Sequence, residues 1–185
     1  ISRALGANEK ERALKTASNA VILDLIISII LMIPAYLFID NILYFFGAST
    51  ETYPFAKDYM SIILIGFISF SFAITANNLI RAEGKPRAAM YNMIIGAVSN
   101  IILDPVLIFG FKMGVRGAAI ATIISQVISA VYVISFFASS KSIYKLHFKS
   151  FKPDIKLSRE IVSIGFPSFA MQVVGSAVFL FFNRS

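Results

Sequence analysis

The chain has little charge for its length. Only 15% of its 185 residues are charged and 57% are hydrophobic, whereas about a quarter of the residues of a soluble domain are charged. Five long segments hold no charged residue or a single acid; they are residues 16–39, 59–80, 88–111, 117–140 and 161–183. Since about 20 apolar residues in a helix cross the hydrocarbon core of a bilayer, the sequence predicts an all-α integral membrane protein, a polytopic bundle with five spanning helices.

Several chemical groups are also scarce or absent. The chain has no cysteine, which excludes disulfides and thiolate metal sites. Its one histidine, His147, lies in a basic loop without metal-ligand spacing, and no catalytic triad, P-loop or dinucleotide fingerprint is found in the sequence. The sequence therefore predicts neither an enzyme nor a cofactor. The opening Ile1-Ser2-Arg3 is unlike a signal peptide, and we expect the chain to be a fragment of a longer protein.

The basic residues show how the helices are oriented. The net charge is +7, and nearly all Lys and Arg of the loops lie in residues 3–15, 81–87 and 141–159. These three loops alternate with two loops whose only basic residues are Lys57, Lys112 and Arg116. Because Lys and Arg are retained in cytoplasmic loops, the first three loops are predicted to be cytoplasmic, and no nucleic-acid partner is expected. Residues 141–156 are also candidates to bind anionic lipid, although a topology signal explains them more simply.

Asp104 is the main candidate for a functional residue within the spans, because an ionisable side chain there is costly. Asn100 precedes it by one helical turn, so both lie on one face. Pro105 frees a backbone carbonyl one turn earlier, and Thr122 is predicted at a similar depth on the next helix. Such oxygens suit H⁺ or Na⁺ and do not suit zinc. The alternative is that Asp104-Pro105 only ends a helix beside the outer water.

Three other polar side chains in the spans have two interpretations each. Asp24 lies about two turns from the cytoplasmic end of the first span, where we expect its carboxylate to reach water or a lysine rather than to act in the membrane. Asn77 either lines a cavity or lies at the inner membrane interface. Tyr59 either faces a cavity or anchors a helix at the outer interface.

Several strings resemble the multidrug and toxic compound extrusion (MATE) family in order and spacing. They are Ile1-Ser2-Arg3-Ala4-Leu5-Gly6-Ala7, Asn78-Leu79-Ile80-Arg81-Ala82-Glu83-Gly84-Lys85-Pro86, Asn100-Ile101-Ile102-Leu103-Asp104-Pro105, Gly114-Val115-Arg116-Gly117-Ala118-Ala119-Ile120-Ala121-Thr122 and Ile164-Gly165-Phe166-Pro167-Ser168. The resemblance implies a twelve-helix transporter with two six-helix lobes. Residues 1–140 would then form the end of helix two and helices three to six of the N-terminal lobe. Residues 141–159 would form a cytoplasmic connector, and residues 160–185 would begin helix seven in the C-terminal lobe.

The Asn-x-x-x-Asp pair is most similar to the DinF-like branch of that family. The resemblance implies a cation site at Asn100, Asp104 and Thr122, with Na⁺ as the metal candidate, and a substrate cavity lined by Tyr59 and Asn77. It implies a monomeric antiporter in the cytoplasmic membrane of a prokaryote, in contact with membrane lipids. Such an antiporter uses H⁺ or Na⁺ to export small organic, often cationic and amphipathic, drugs or toxins.

Three other functions are compatible with parts of the sequence. The first is a flippase of lipid-linked oligosaccharides or a polysaccharide exporter of the same superfamily, which should carry more basic residues in its cavity. The second is a membrane sensor or scaffold, which has no need of Asn100, Asp104 and Thr122 at one depth. The third is a membrane enzyme, which needs a catalytic set that this sequence lacks.

Overall fold

The structure, a computed structural model, describes residues 1–139, 142 and 154–184, and the described part is helical without strands. The helices are α1 (Ser2–Gly6), α2 (Lys10–Leu37), α3 (Ile39–Phe45), α4 (Tyr53–Ala82), α5 (Pro86–Pro105), α6 (Gly114–Ala138) and α7 (Ile155–Arg184). A π-helical turn, Val106–Gly110, extends α5 outward. His147 and most of the basic connector lie outside the described residues.

Four of the helical segments are long and apolar enough to cross a membrane: Lys10–Leu37, Tyr53–Ala82, Pro86–Gly110 and Gly114–Ala138. They coincide with the first four predicted spans. The fifth predicted span falls within α7, which begins at Ile155, earlier than the predicted boundary at residue 160. The early start has a local cause, since Asp154 Oδ1 accepts hydrogen bonds from the amides of Lys156 (2.8 Å) and Leu157 (3.3 Å). This is the geometry of a helix N-cap.

The beginning of α7 is attached to the inner end of α2. The backbone amide of Asp154 donates to Asn19 Oδ1 at 2.7 Å, and Asn19 Nδ2 donates to the carbonyl of Lys15 at 2.9 Å. Arg12 Nη2 lies 3.9 Å from Glu160 Oε1. The buried Asn19 side chain therefore joins two helices that are far apart in sequence.

The helices pack through small side chains. Ala13 and Ala17 of α2, Ala76 of α4 and Ala89 of α5 are fully buried in one cluster with Ile80 and Val133. Small residues let helix backbones approach closely within a membrane. Large apolar side chains such as Ile30, Leu31 and Ile101 instead point outward, each more than half exposed. This distribution is typical of a bundle that faces lipid, because hydrocarbon solvates those side chains.

The α5–α6 hairpin is wound unusually at its outer end. Beyond Pro105, the amide of Phe111 donates to the carbonyl of Val106 at 2.9 Å, which closes a π-helical turn. Gly117 of α6 lies directly against this turn, and a Cβ there would meet the Leu107 backbone at 2.8 Å. Further inward, a Cβ on Gly96 would lie 2.5 Å from Ser129 Oγ. These two contacts fix the register between the two helices of the hairpin.

The outer ends of the helices carry paired charges. The Arg116 guanidinium of α6 donates to both carboxylate oxygens of Asp58 on α4, each at 2.9 Å. On α3, Asp40 Oδ1 lies 2.7 Å from Lys57 Nζ and accepts a hydrogen bond from the Tyr53 hydroxyl at 2.7 Å. We call these five residues the outer rim. They connect α3, α4 and α6 to one another.

Candidate functional site

A cavity of about 260 Å³ lies between α4, α5 and α6. Seven polar side chains among its lining come from all three helices: Asn77 from α4, Asn92 and Asn100 from α5, and Thr122, Ser125, Gln126 and Ser129 from α6. The rest of the lining is apolar or small, including Phe70 and Met93, and no charged residue is among the described lining residues. The cavity is therefore a neutral, partly polar surface inside an apolar bundle.

Two asparagines at the inner end of the cavity have unsatisfied oxygens. Asn92 is 3% exposed and Asn77 is 8% exposed. Within the described part of the chain, neither side-chain carbonyl oxygen, Oδ1, has a hydrogen-bond donor. A buried polar atom without a partner costs about 1–3 kcal/mol. Such atoms are rare in folded proteins and are commonly satisfied by water or a ligand.

The predicted cation ligands lie toward the outer end of the cavity. Asn100 Nδ2 donates to Asp104 Oδ1 at 3.3 Å, as their spacing of one turn allows. Asn100 and Thr122 line the cavity, whereas Asp104 lies one turn farther out and does not. The register set by Gly117 and Gly96 places Thr122 at a depth between Asn100 and Asp104. The structure thus brings the three predicted residues to one end of the cavity.

The hydroxyl of Thr122 is oriented by its own helix. Its Oγ1 donates to the carbonyl of Ala118 at 2.9 Å, which uses its proton and leaves its lone pairs as acceptors. The described residues contain no group of three or more His, Cys, Asp or Glu side chains that could hold a metal. One carboxylate with neutral oxygens is a ligand set for a proton or a monovalent cation.

Tyr59 lies at the other end of α4 from Asn77. The two residues are separated by five full helical turns, so they share a face but stand about 27 Å apart along the axis. Tyr59 does not line the cavity, and its side chain is 36% exposed. A contact of Tyr59 with substrate stays a prediction for the outer continuation of this face.

Asp24 differs from its expected placement at the interface. Its Oδ1 accepts a hydrogen bond from Ser71 Oγ of α4 at 2.5 Å, and its Oδ2 is buried without a hydrogen-bond partner among the described residues. Ser71 occupies the facing helix at the same depth, so the carboxyl turns into the α2–α4 contact instead of toward water. The sequence could not reveal this contact, because serines are routine at helix contacts.

Four polar residues that line the cavity were not predicted as cavity residues. Asn92, Ser125, Gln126 and Ser129 line it together with the predicted Asn77, Asn100 and Thr122. Asn92 is one turn before Gly96, where a Cβ would lie 2.5 Å from Ser129 Oγ of α6. A helical spacing of four from Asn92 through Gly96 to Asn100 is the signal that could have found it.

Comparisons with known proteins agree with this architecture. Residues 1–106 match the model of the MatE family. The multidrug export protein MepA of Staphylococcus aureus (strain bovine RF122 / ET3-1) is 33% identical over 177 residues, which is 94% of this chain and 39% of that protein. MepA of Staphylococcus haemolyticus (strain JCSC1435) is 34% identical over 177 residues, with 94% and 38% covered. The chain thus spans about two fifths of the length of these relatives.

A solved structure gives the same result in three dimensions. The crystal structure of MATE in the bent conformation superposes with a TM-score of 0.92 and 30% sequence identity, over 100% of this chain and 41% of that one. The described helices therefore have the fold of part of that structure, and the chain is a multi-pass membrane protein. Since the family model covers more than half of the chain, the chain belongs to the MatE family.

Proposed function

We propose that this chain belongs to a cation-coupled antiporter that exports small organic cations, drugs or toxins from a prokaryotic cell by alternating access. The relatives named above are multidrug export proteins. In this proposal the cavity between α4, α5 and α6 forms part of the substrate path. The Asn100–Asp104–Thr122 cluster at its outer end binds the coupling ion, H⁺ or Na⁺.

The observation that carries this proposal is the pair of unsatisfied amide oxygens in an uncharged cavity. Asn77 Oδ1 and Asn92 Oδ1 are acceptors that lack a donor among the described residues. No Lys or Arg among the described lining residues opposes a positive charge. An organic cation or amine supplies what these oxygens lack, while Phe70 and Met93 offer an apolar and polarizable surface to its hydrophobic part.

Coupling follows from the position of Asn100. It lies two turns, about 12 Å, from Asn92 along α5, and it touches both the cavity and Asp104. H⁺ and Na⁺ compete for the single carboxylate of Asp104. Binding of either ion from outside changes the hydrogen bond to Asn100 and thus the outer wall of the cavity. The π-helical turn next to Asp104 provides a place where α5 bends.

We also propose that the transporter is a monomer in the cytoplasmic membrane, surrounded by lipid, with no cofactor other than the coupling ion and no enzymatic step. A flippase for lipid-linked sugars is the second candidate. It is disfavoured because the described cavity has no basic side chain to hold a phosphate-bearing substrate.

Dye transport into everted membrane vesicles tests the proposal. The cytoplasmic face of these vesicles points outward, so a fluorescent organic cation is added outside vesicles that hold the full-length protein, and a pH step and a Na⁺ step are applied separately. The wild type is expected to move dye in response to one of the two ions, and Asp104→Asn is expected to abolish that response. Glu51→Gln, which neutralises an exposed carboxylate of the outer loop, is the matched control and should transport like the wild type.

Two outcomes would contradict the proposal. If Asp104→Asn is correctly folded and responds to both ions like the wild type, Asp104 is a helix-end residue without a part in coupling. If neither ion drives dye movement in the wild type, while a lipid-linked sugar crosses the membrane, the flippase is the correct function.

A further inference from the structure

A second cavity, separate from the substrate path, lies at the predicted cytoplasmic surface between the start of α5 and the end of α6. Its volume is about 720 Å³, and it shares no lining residue with the central cavity. Arg87 and Tyr91 line it from α5, and Tyr132 and Phe136 line it from α6. We call these four residues and the space between them the basic groove.

The two α5 residues of the groove present free polar groups. Arg87 is exposed and has no ion pair within the described part of the chain, and Tyr91 is 54% exposed with no hydrogen bond there. They are one helical turn apart and therefore share a face. Lys85 also lines the groove, but its Nζ lies 3.6 Å from Glu83 Oε2 and 5.4 Å from the centre of the Phe136 ring. Among the described residues that line the groove, Arg87 is thus the cation that no nearby acid pairs with.

The groove continues into the membrane as an apolar surface. Ile94 and Val98 follow Tyr91 on the same face of α5, each 47% exposed, and Ile128 precedes Tyr132 by one turn on α6 at 37%. The Tyr132 hydroxyl donates a long hydrogen bond to the carbonyl of Ala88 at 3.4 Å, so the two walls are in contact at this level. The groove therefore has a cationic mouth, a tyrosine about one turn deeper, and an apolar floor within a spanning segment.

We propose that the basic groove binds an anionic phospholipid of the cytoplasmic leaflet. Its phosphate would accept hydrogen bonds from the Arg87 guanidinium, which suits phosphate oxygens geometrically. The Tyr91 hydroxyl lies at the glycerol level, and an acyl chain runs along Ile94 and Val98. Charge complementarity selects this occupant, since the cytoplasmic leaflet is negative and basic pockets between spanning helices on that side bind anionic head groups. The proposal does not depend on which substrate the transporter exports.

Native mass spectrometry of the purified full-length protein tests the groove. The detergent-solubilised protein is titrated with phosphatidylglycerol and, separately, with phosphatidylcholine of the same acyl chains, and the lipid-bound fraction is measured. The wild type should retain phosphatidylglycerol preferentially. Arg87→Gln should weaken phosphatidylglycerol binding about fivefold and leave phosphatidylcholine binding unchanged. Tyr91→Phe should cause a smaller loss in the same direction.

Arg81→Gln is the matched control for this measurement. Arg81 is an exposed arginine of the same cytoplasmic loop region that lies outside the groove, so its loss should not change the preference between the two lipids. The proposal is overturned if the wild type retains both lipids equally. It is also overturned if Arg81→Gln and Arg87→Gln lower phosphatidylglycerol binding to the same extent, because the attraction is then diffuse. The ratio of the two lipids is read on folded protein only, which removes any effect of reduced yield.

Discussion

The polar groups of the outer rim have hydrogen-bond partners, whereas some of those in the cavity between α4, α5 and α6 have none within the described part of the chain. At the outer rim, Asp58 and Arg116 form two hydrogen bonds of 2.9 Å, and Asp40 is paired with Lys57 and Tyr53. In the cavity, the oxygens of Asn77 and Asn92 are buried and have no donor among the described residues. In these two regions the charged groups at the surface are paired, and the buried neutral oxygens have no donor among the described residues.

This difference distinguishes polar groups that position helices from polar groups that are available to bind a ligand. Exposed ion pairs add little stability individually, but a bidentate pair fixes how two helix ends meet. An unsatisfied buried amide destabilises the fold and is expected only where it does something else. The comparison therefore assigns the outer rim to helix positioning and the cavity asparagines to ligand binding.

The largest effect on transport is expected for Asn92→Leu. The change removes a buried oxygen that has no partner, so thermal stability in detergent should stay the same or rise. A hydrogen bond to a charged ligand is worth about 1.5–3 kcal/mol, so the dye concentration that gives half-maximal efflux should rise about tenfold or more. Vesicle efflux and a melting curve on the same preparation measure both quantities.

Asn78→Leu is the control for that variant. Asn78 is an exposed asparagine next to Asn77 that does not line the cavity. Its replacement should leave the half-maximal dye concentration within about twofold of the wild-type value, since no ligand hydrogen bond is lost. An Asn92→Leu protein that is less stable but transports normally would show that Asn92 supports the fold instead of the ligand.

A medium effect is expected for Gly117→Ala, where α6 contacts the π-helical turn. The new Cβ would lie 2.8 Å from the carbonyl carbon and oxygen of Leu107, which are backbone atoms and cannot rotate away. Overpacking of this kind costs about 1–3 kcal/mol, more than the gain in helix propensity from alanine. The melting temperature should fall. Gly110→Ala adds a Cβ that meets nothing within 4 Å and should not lower it.

The smallest effect is expected for Asp40→Asn at the outer rim, where the change in melting temperature depends on pH. The hydrogen bond from Lys57, helped by that from Tyr53, holds the pKa of Asp40 below its ordinary value of 3.8. A lowered pKa means that the contribution to stability is fully present above pH 3.8 and is lost as the pH falls through the lower, folded value. The melting temperature of the wild type should therefore drop further in strong acid than that of Asp40→Asn.

If the melting temperature of Asp40→Asn falls in acid as much as that of the wild type, other carboxylates account for the loss of stability. The same pair of proteins at high salt provides a second measurement, because exposed charge pairs are screened by salt. The difference between wild type and variant at neutral pH should shrink as salt is added.

Much of the fold was predictable because membrane spans are defined by composition. The charge-free runs located four of the helices, and the basic loops indicated their orientation. The depth of Thr122 relative to Asn100 and Asp104 followed from the short turn between α5 and α6. The π-helical turn was not predicted. The sequence indicated only that Pro105 frees a backbone carbonyl, whereas the contact of Gly117 with the Leu107 backbone is visible only in the structure.

The cavity was only partly predictable because its residues are ordinary in helix contacts. Ser129 and Gln126 resemble the small and polar residues that join membrane helices anywhere. Asn92 becomes distinctive only when its burial and its missing partner are known. Asp24 was misplaced for the same reason, because its partner Ser71 lies on another helix and leaves no trace in local spacing.

The hydrogen bond between the Asp154 amide and Asn19 fixes the first turn of α7 to α2 and leaves the other end of α7 without that attachment. The helix has 30 residues and is thus about 45 Å long. If it tilts about the hydrogen bond between the Asp154 amide and Asn19 Oδ1, its first turn hardly moves. A tilt of only about 10° then carries its far end through about 8 Å, more than one helical turn. A small rearrangement at the attached end of α7 would in this way become a large displacement of its other end.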